Sequence, residues 1–185
     1  MTLASLGGRL LVATPLLEDP NFHRTVVLIL DHDDDGALGV VLNRPSEIPV
    51  VAVLPDWTPA VPEPSQLFTG GPVSPQAAVA VGVRSDRTEL AGFRHTTGDF
   101  GLVDLDADPE QLAPALVGIR VFAGYSGWGS DQLETEIAEG SWYVVSAEPR
   151  DVLHPEPESL WRSVLRRQPG ELAYVATFPS DPVLN

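Results

Sequence analysis

Residues 24–42 read Arg-Thr-Val-Val-Leu-Ile-Leu-Asp-His-Asp-Asp-Asp-Gly-Ala-Leu-Gly-Val-Val-Leu, two runs of branched apolar side chains flanking an aspartate-rich segment that Gly36 closes. Runs this short, bounded by Asp, Asn and Pro, are strand material, and the polar stretch between them is the loop of a β-hairpin. A third run, Gly8 to Thr14, joins the first through a loop containing Asp19-Pro20. The chain thus begins as sheet, with Arg24 to Leu30 and Leu38 to Leu42 as buried strands and Asn43-Arg44-Pro45 ending the second.

Further along, the punctuation changes. Pro49 to Leu54 fits a short helix with proline at its start, and Pro55, Pro59, Pro62 and Pro64 impose an extended surface loop over 55–66. Gly70-Gly71-Pro72 is a turn, after which Ala77 to Val83 resumes as a strand. Asp108-Pro109 caps and starts a helix with Leu112, Leu116 and Val117 on its apolar face. Ile119 to Ala123 is a strand, 124–129 a glycine-rich turn, and Ser130 to Glu139 a helix closed by Gly140. Trp142 to Val145 is a strand; Ser159 caps a helix bearing Leu160, Trp161, Val164 and Leu165; Leu172 to Thr177 is a final strand. Strands first and helices interspersed later define an α+β class. At 185 residues and 43% hydrophobic, the chain has material for one core, so residues 1–185 are read as a single domain.

Charge narrows the function classes. Twenty-six acidic residues against 11 basic ones, all arginine, give a net charge of −15, a field that repels phosphate polyanions, so nucleic acid is not an expected partner. Arg162, Arg166 and Arg167 have the spacing of a solvated helix face. With no cysteine there is no disulfide, thiolate metal site or thiol chemistry. The first 20 residues, with one arginine and an apolar run broken by Pro15, fit neither a signal peptide nor a membrane span, which points to the cytoplasm.

Three motifs invite chemistry. Asp31, Asp33, Asp35 and Gly36 match half of a calcium loop, but Leu42 stands where the closing glutamate belongs and both flanks are strand-like, so the acidic hairpin turn is preferred. His23, His32, His95 and His154 have no zinc spacing; no metal and no cofactor are expected. Gly124-Tyr125-Ser126-Gly127-Trp128 sits where a nucleophile elbow would present Ser126, with Asp151 and His154 following in hydrolase order. The spacing requires glycine at Trp128, and a turn packing an aromatic over a helix start is the competing reading.

Four blocks in order carry a resemblance: Asp19-Pro20-Asn21-Phe22-His23-Arg24-Thr25-Val26-Val27; Gly36-Ala37-Leu38-Gly39 through Asn43-Arg44-Pro45; Gly70-Gly71-Pro72-Val73; and Gly124-Tyr125-Ser126-Gly127-Trp128 with Gln132-Leu133-Glu134 and Glu136-Ile137. The chain resembles the bacterial AlgH/YqgE family from its first strand to about Val152. The resemblance implies a compact α+β fold, a barrel-like sheet of mixed strands flanked by helices. It implies no reaction, although some members are described as transcriptional regulators. After Gly-Gly-Pro-Val the family commonly carries an Arg-Gly-Phe stretch ending near a histidine, where this chain has Ser74-Pro75-Gln76-Ala77-Ala78. The family also accepts alanine at the position of Ser126, which removes the nucleophile from the pattern.

The expected site gathers Arg24, Asn43, Arg44, Gly70, Gly71, Tyr125, Trp128, Gln132 and Glu136, polar and aromatic residues at strand ends and turns, where a rigid scaffold presents ligand contacts. Arg24 or Arg44 beside the backbone of Gly70-Gly71 or of residues 127–130 would suit a small anion. A protein partner is the other class left open. Two further alternatives are a transcription-associated regulator and a serine hydrolase using Ser126. The same nine residues also read as a brace, with Arg24 or Arg44 paired to Glu134 or Glu136 and with Tyr125 and Trp128 sealing the core.

Overall fold

The computed structural model describes residues 4–180. Alternation in the first hairpin decides how the sheet is covered. In β2 (Val26–Asp33), Val26, Leu28 and Leu30 enter one cluster of buried side chains while Val27 and Ile29 enter another on the opposite face. A strand apolar on both faces is stable only where both faces are covered. The hairpin partner β3 (Gly36–Val41) and the first strand β1 (Arg9–Ala13) flank β2 antiparallel, as the apolar runs predict.

The remaining strands are β4 (Pro45–Pro49), β5 (Gln66–Thr69), β6 (Val73–Val83), β7 (Phe93–His95), β8 (Phe100–Val103), β9 (Gly118–Gly129) and β10 (Trp142–Ser146). One sheet runs β10-β1-β2-β3-β9-β6-β8-β7; β5 joins β9 in parallel and carries β4 antiparallel. The single parallel pairing makes the barrel-like sheet mixed. The short helices are α1 (Val50–Val53), α2 (Pro109–Leu112), α3 (Gln132–Ala138), α4 (Pro149–Val152), α5 (Leu160–Arg166) and α6 (Leu172–Val175), with 3-10 helices at Pro55–Ala60, Ala113–Ala115 and Pro157–Ser159.

Leu160, Trp161, Val164 and Leu165 of α5 fill the inside of the curl with Leu10, Leu28, Val40 and Phe122. On the outside, Leu133 of α3 packs with Trp128 and Trp142 over the first strands. Trp57 and Leu112 cover β6 and the start of β9. Arg120 is fully buried in that wall. Its guanidinium donates to the carbonyls of Pro62, Pro64, Val152 and His154. Burial pulls its pKa down to about 10, partly opposed by Glu63, so it stays charged at neutral pH.

Several local expectations give way to tertiary pairing. Residues 124–129 are not a turn but the second half of β9, because Ser126 to Gly129 pair with Gly39 to Gly36 far away in sequence. Residues 172–175 form α6 rather than a strand; Arg162 of α5 holds the Ala176 and Phe178 carbonyls that follow it. The proline-rich stretch is not a loop throughout. Its first part winds into a 3-10 helix that buries Trp57, and Pro45, expected only to end a strand, begins β4. Ser159 makes no cap, its hydroxyl donating instead to the Glu156 carbonyl. Val117, assigned to a buried helical face, is 71% exposed. Asp108 does cap α2, accepting from the Glu110 N–H.

Candidate functional site

The nine expected residues fall into three groups: Arg24, Asn43 and Arg44 at the loop between β1 and β2, Gly70, Gly71 and Tyr125 where the chain crosses β9, and Trp128, Gln132 and Glu136 on the outer face. Arg24 ends this loop with φ 53°, a left-handed backbone that costs a side-chain-bearing residue and needs external support. Asn43 supplies it. Its amide donates to the Arg24 carbonyl at 2.9 Å and accepts from the Val26 N–H at 3.0 Å, standing in for a missing strand residue. The Arg24 guanidinium lies 4.3 Å over the Trp161 ring and donates to the carbonyls of Phe178 and Pro179. Burial, then the charge of Arg162, lowers its pKa.

Arg44 grips the same loop from the far end of β3. Its guanidinium donates to the Pro20 carbonyl at 2.8 Å and to the His23 carbonyl at 2.9 Å. Burial lowers its pKa while Asp19 raises it. The Arg44 carbonyl in turn accepts from the Thr69 N–H, which leads into Gly70-Gly71. The Gly70 carbonyl accepts from both the Val41 N–H and the Ser126 hydroxyl. Here the chain crosses β9 at backbone contact: a Cβ on Gly70 would fall 2.3 Å from the Gly124 oxygen, and one on Gly71, at φ 155°, 2.2 Å from the Tyr125 oxygen. Only glycine fits either position. Tyr125 packs against the inner core from the crossing.

The third group sits on the outer face. One Glu136 carboxylate oxygen accepts from the indole N–H of Trp128 and of Trp142, each at 2.9 Å, and the other from the Gln132 amide at 3.1 Å. The Gln132 carbonyl oxygen accepts from the Gly129 N–H. Phe22, in the β1–β2 loop, stacks on Trp128 and meets Trp142 edge-on, with centroids at 6.0 and 5.5 Å. The loop is therefore pinned by an aromatic on one side and by two arginines and an asparagine on the other.

The ion pairs suggested for the arginines do not form. Glu136 is engaged by the indoles, and Glu134 accepts from His32 Nε2 at 2.6 Å. His32 was not among the expected residues. Its Nδ1 accepts from the Leu6 N–H, which fixes the tautomer and ties the N-terminal segment to α3. Nor does the hydrolase constellation assemble. The Ser126 hydroxyl is buried against a carbonyl, and Asp151 is held by both terminal nitrogens of Arg167 at 2.5 and 2.6 Å. His154 Nδ1 accepts from the Glu156 N–H. In the acidic hairpin, Asp33 accepts from the Asp35 N–H, closing a tight turn. Among the described residues no group of three or more His, Asp or Glu side chains is placed to hold a metal, and no helix is long and apolar enough to cross a membrane.

Fold and cluster together define a barrel-like α+β protein built around a braced loop. The sequence matches the AlgH-like family, DUF179, over residues 10–173, and the chain belongs to that family. The match runs past Val152 to include α5, farther than the sequence blocks reach. A UPF0301 protein of Streptomyces coelicolor is 57% identical over 99% of this chain and 97% of its own length. Another, of Thermobifida fusca, is 50% identical over 100% and 98%. The crystal structure of a Corynebacterium diphtheriae protein, 37% identical, superposes with a TM-score of 0.89, covering 96% of this chain and 94% of that one. The solution structure of AlgH from Pseudomonas aeruginosa, 24% identical, shares the fold with a TM-score of 0.69 over 97% of each chain. The names of these relatives state no activity.

Proposed function

We propose that this is a small cytoplasmic binding protein of regulatory type, which contacts a protein partner through the β1–β2 loop that its arginine, asparagine and aromatic cluster holds rigid. The observation that carries this reading is where the side-chain donors of Arg24, Asn43 and Arg44 go. Five of their hydrogen bonds end on main-chain carbonyls, three of them within the loop itself at Pro20, His23 and Arg24. Meanwhile Leu16 is 84% exposed, and Asp19, Asn21 and His23 are exposed beside it. A fixed backbone whose exposed side chains are already ordered, Asp19 accepting from the Asn21 N–H and His23 Nδ1 lying 3.2 Å from the Leu17 carbonyl, binds with little ordering cost. In this reading Arg24, Asn43, Arg44, Gly70, Gly71, Tyr125, Trp128, Gln132 and Glu136 shape the site and the loop makes the contact.

A photo-crosslinking amino acid placed at Leu16 or Asn21 in living cells tests the reading. A discrete protein adduct at these positions, absent when the crosslinker is placed at Ala138, supports it; no adduct at either loop position refutes it. A thermal-shift panel of nucleotides, phosphosugars and organic acids separates the small-anion alternative. A ligand at about 100 times its Kd stabilises by about 2.7 kcal/mol, and such a shift abolished by Arg44→Ala would place an anion on the arginines instead.

A further inference from the structure

A groove of about 460 Å³ lies between the 3-10 helix Pro55–Ala60 and the α2 segment, with Gly118 at the start of β9 among its lining residues. Pro59, Pro62, Pro114 and Leu116 line it, and Val117 stands 71% exposed among its lining residues. An isolated exposed valine is ordinary, but one in a proline-lined groove extends an apolar surface.

The groove is preformed. Proline fixes φ along its walls, and the Trp57 indole N–H donates to the Leu105 carbonyl at 3.0 Å, linking one wall to the chain that leads into the other. From below, Arg120 holds the Pro62 and Pro64 carbonyls. An occupant would find its surface already ordered, which lowers the cost of binding.

Its charge is of one sign. No basic residue occurs from Pro45 to Val83 or from Phe100 to Ile119, the stretches that supply both walls. Asp56 and Glu110 line the groove on opposite walls, and neither carboxylate has a hydrogen-bond or ion-pair partner among the described residues. Asp104 and Asp108, by contrast, cap their own turns. Apolar walls between two free carboxylates, on a chain of net charge −15, complement a segment with the opposite pattern.

We propose that this groove docks an extended segment of a partner protein in which apolar side chains are flanked by arginine or lysine. The apolar residues cover Val117, Leu116 and the prolines, and the cations meet Asp56 and Glu110. This surface is separate from the β1–β2 loop and goes beyond the reading given to it.

The test pans a random twelve-residue peptide display library against the 185-residue protein and measures the enriched sequences as synthetic peptides. Enrichment of apolar residues flanked by Arg or Lys is expected. So are a loss of affinity of tenfold or more in the Asp56→Asn/Glu110→Gln double variant and in Val117→Arg, and weaker binding at higher salt. Leu16→Asp should leave that affinity unchanged. No enrichment, enrichment of acidic sequences, or affinity indifferent to the groove variants overturns the proposal. Peptides that lose affinity to Leu16→Asp but not to the groove variants would overturn the groove while supporting the loop.

Discussion

The guanidinium of Arg120 lies 4.6 Å from the Phe68 ring centroid while one of its nitrogens donates to the carbonyls of Pro62 and Pro64, both at 2.9 Å. A buried cation has thus been satisfied by main-chain oxygens and an aromatic face, with no carboxylate in contact among the described residues. Arg120→Met would leave those carbonyls without their donor. We expect a loss of about 3 kcal/mol or more, read from urea unfolding. Arg120→Lys keeps the charge but not the planar fork and should recover only part of it. A loss below about 1 kcal/mol for the methionine variant would contradict this account.

Glu136 joins two indoles through one oxygen. Glu136→Ala leaves both N–H groups without an acceptor inside the outer core, and we expect about 2 kcal/mol of destabilisation with a red shift in tryptophan emission. Glu136→Gln retains an acceptor oxygen and should cost less. Equal losses in the two variants would mean that side-chain packing, not the indole bonds, sets the contribution.

Ser126 donates to a Gly70 carbonyl that already accepts from Val41. Ser126→Ala therefore orphans nothing, and its expected cost is about 1 kcal/mol or less. Ester hydrolysis by the purified protein that disappears in this variant would restore the nucleophile reading against the geometry.

Glu134 has its carboxyl held below its ordinary value near 4.5, first by its own backbone N–H and then by His32. The sign follows from linkage: the folded form binds the proton less readily, so this contribution is fully present above the ordinary carboxylate value and is lost as pH falls through the folded one. Thermal midpoints recorded from about pH 7 to about pH 3 should fall less steeply for Glu134→Gln than for the parent protein. Identical slopes would remove Glu134 from the acid response.

The braced loop separates stability from contact. Leu16 is 84% exposed, so Leu16→Asp should shift stability by no more than about 0.5 kcal/mol. Phe22 is wedged between Trp128 and Trp142, and Phe22→Ala should cost about 2 kcal/mol and speed amide exchange across residues 16–24. A large loss from Leu16→Asp would mean that the loop's free face is structural after all.

Much of this was legible in the residues. Apolar runs placed β1, β2, β3 and β10, and the i, i+3, i+4 spacing of Leu160, Trp161, Val164 and Leu165 placed α5. The same reading failed where long-range pairing overrode a local signal. Three glycines in 124–129 spell a turn, yet Gly127 and Gly129 sit opposite Leu38 and Gly36 in a ladder no short window contains. The hydrogen-bond partners of Arg24, Asn43 and Arg44 were not legible, because main-chain carbonyls leave no mark in a sequence. The one clue to Arg120 in the sequence is a lone cation inside the apolar run Ile119 to Ala123. His32 and Glu134, 102 positions apart, offered none.

β9 is the strand against which β3, β5 and β6 all align. On the ribosome this order matters, since the first hairpin is complete by Val41 while its neighbour β9 begins only at Gly118 and β10, the partner of β1, at Trp142. Through most of synthesis the nascent chain therefore carries a finished three-stranded sheet with both edges open to stray pairing. Such a topology favours slow closure and makes a chaperone or an early-arriving partner most useful before the last third of the polypeptide has emerged.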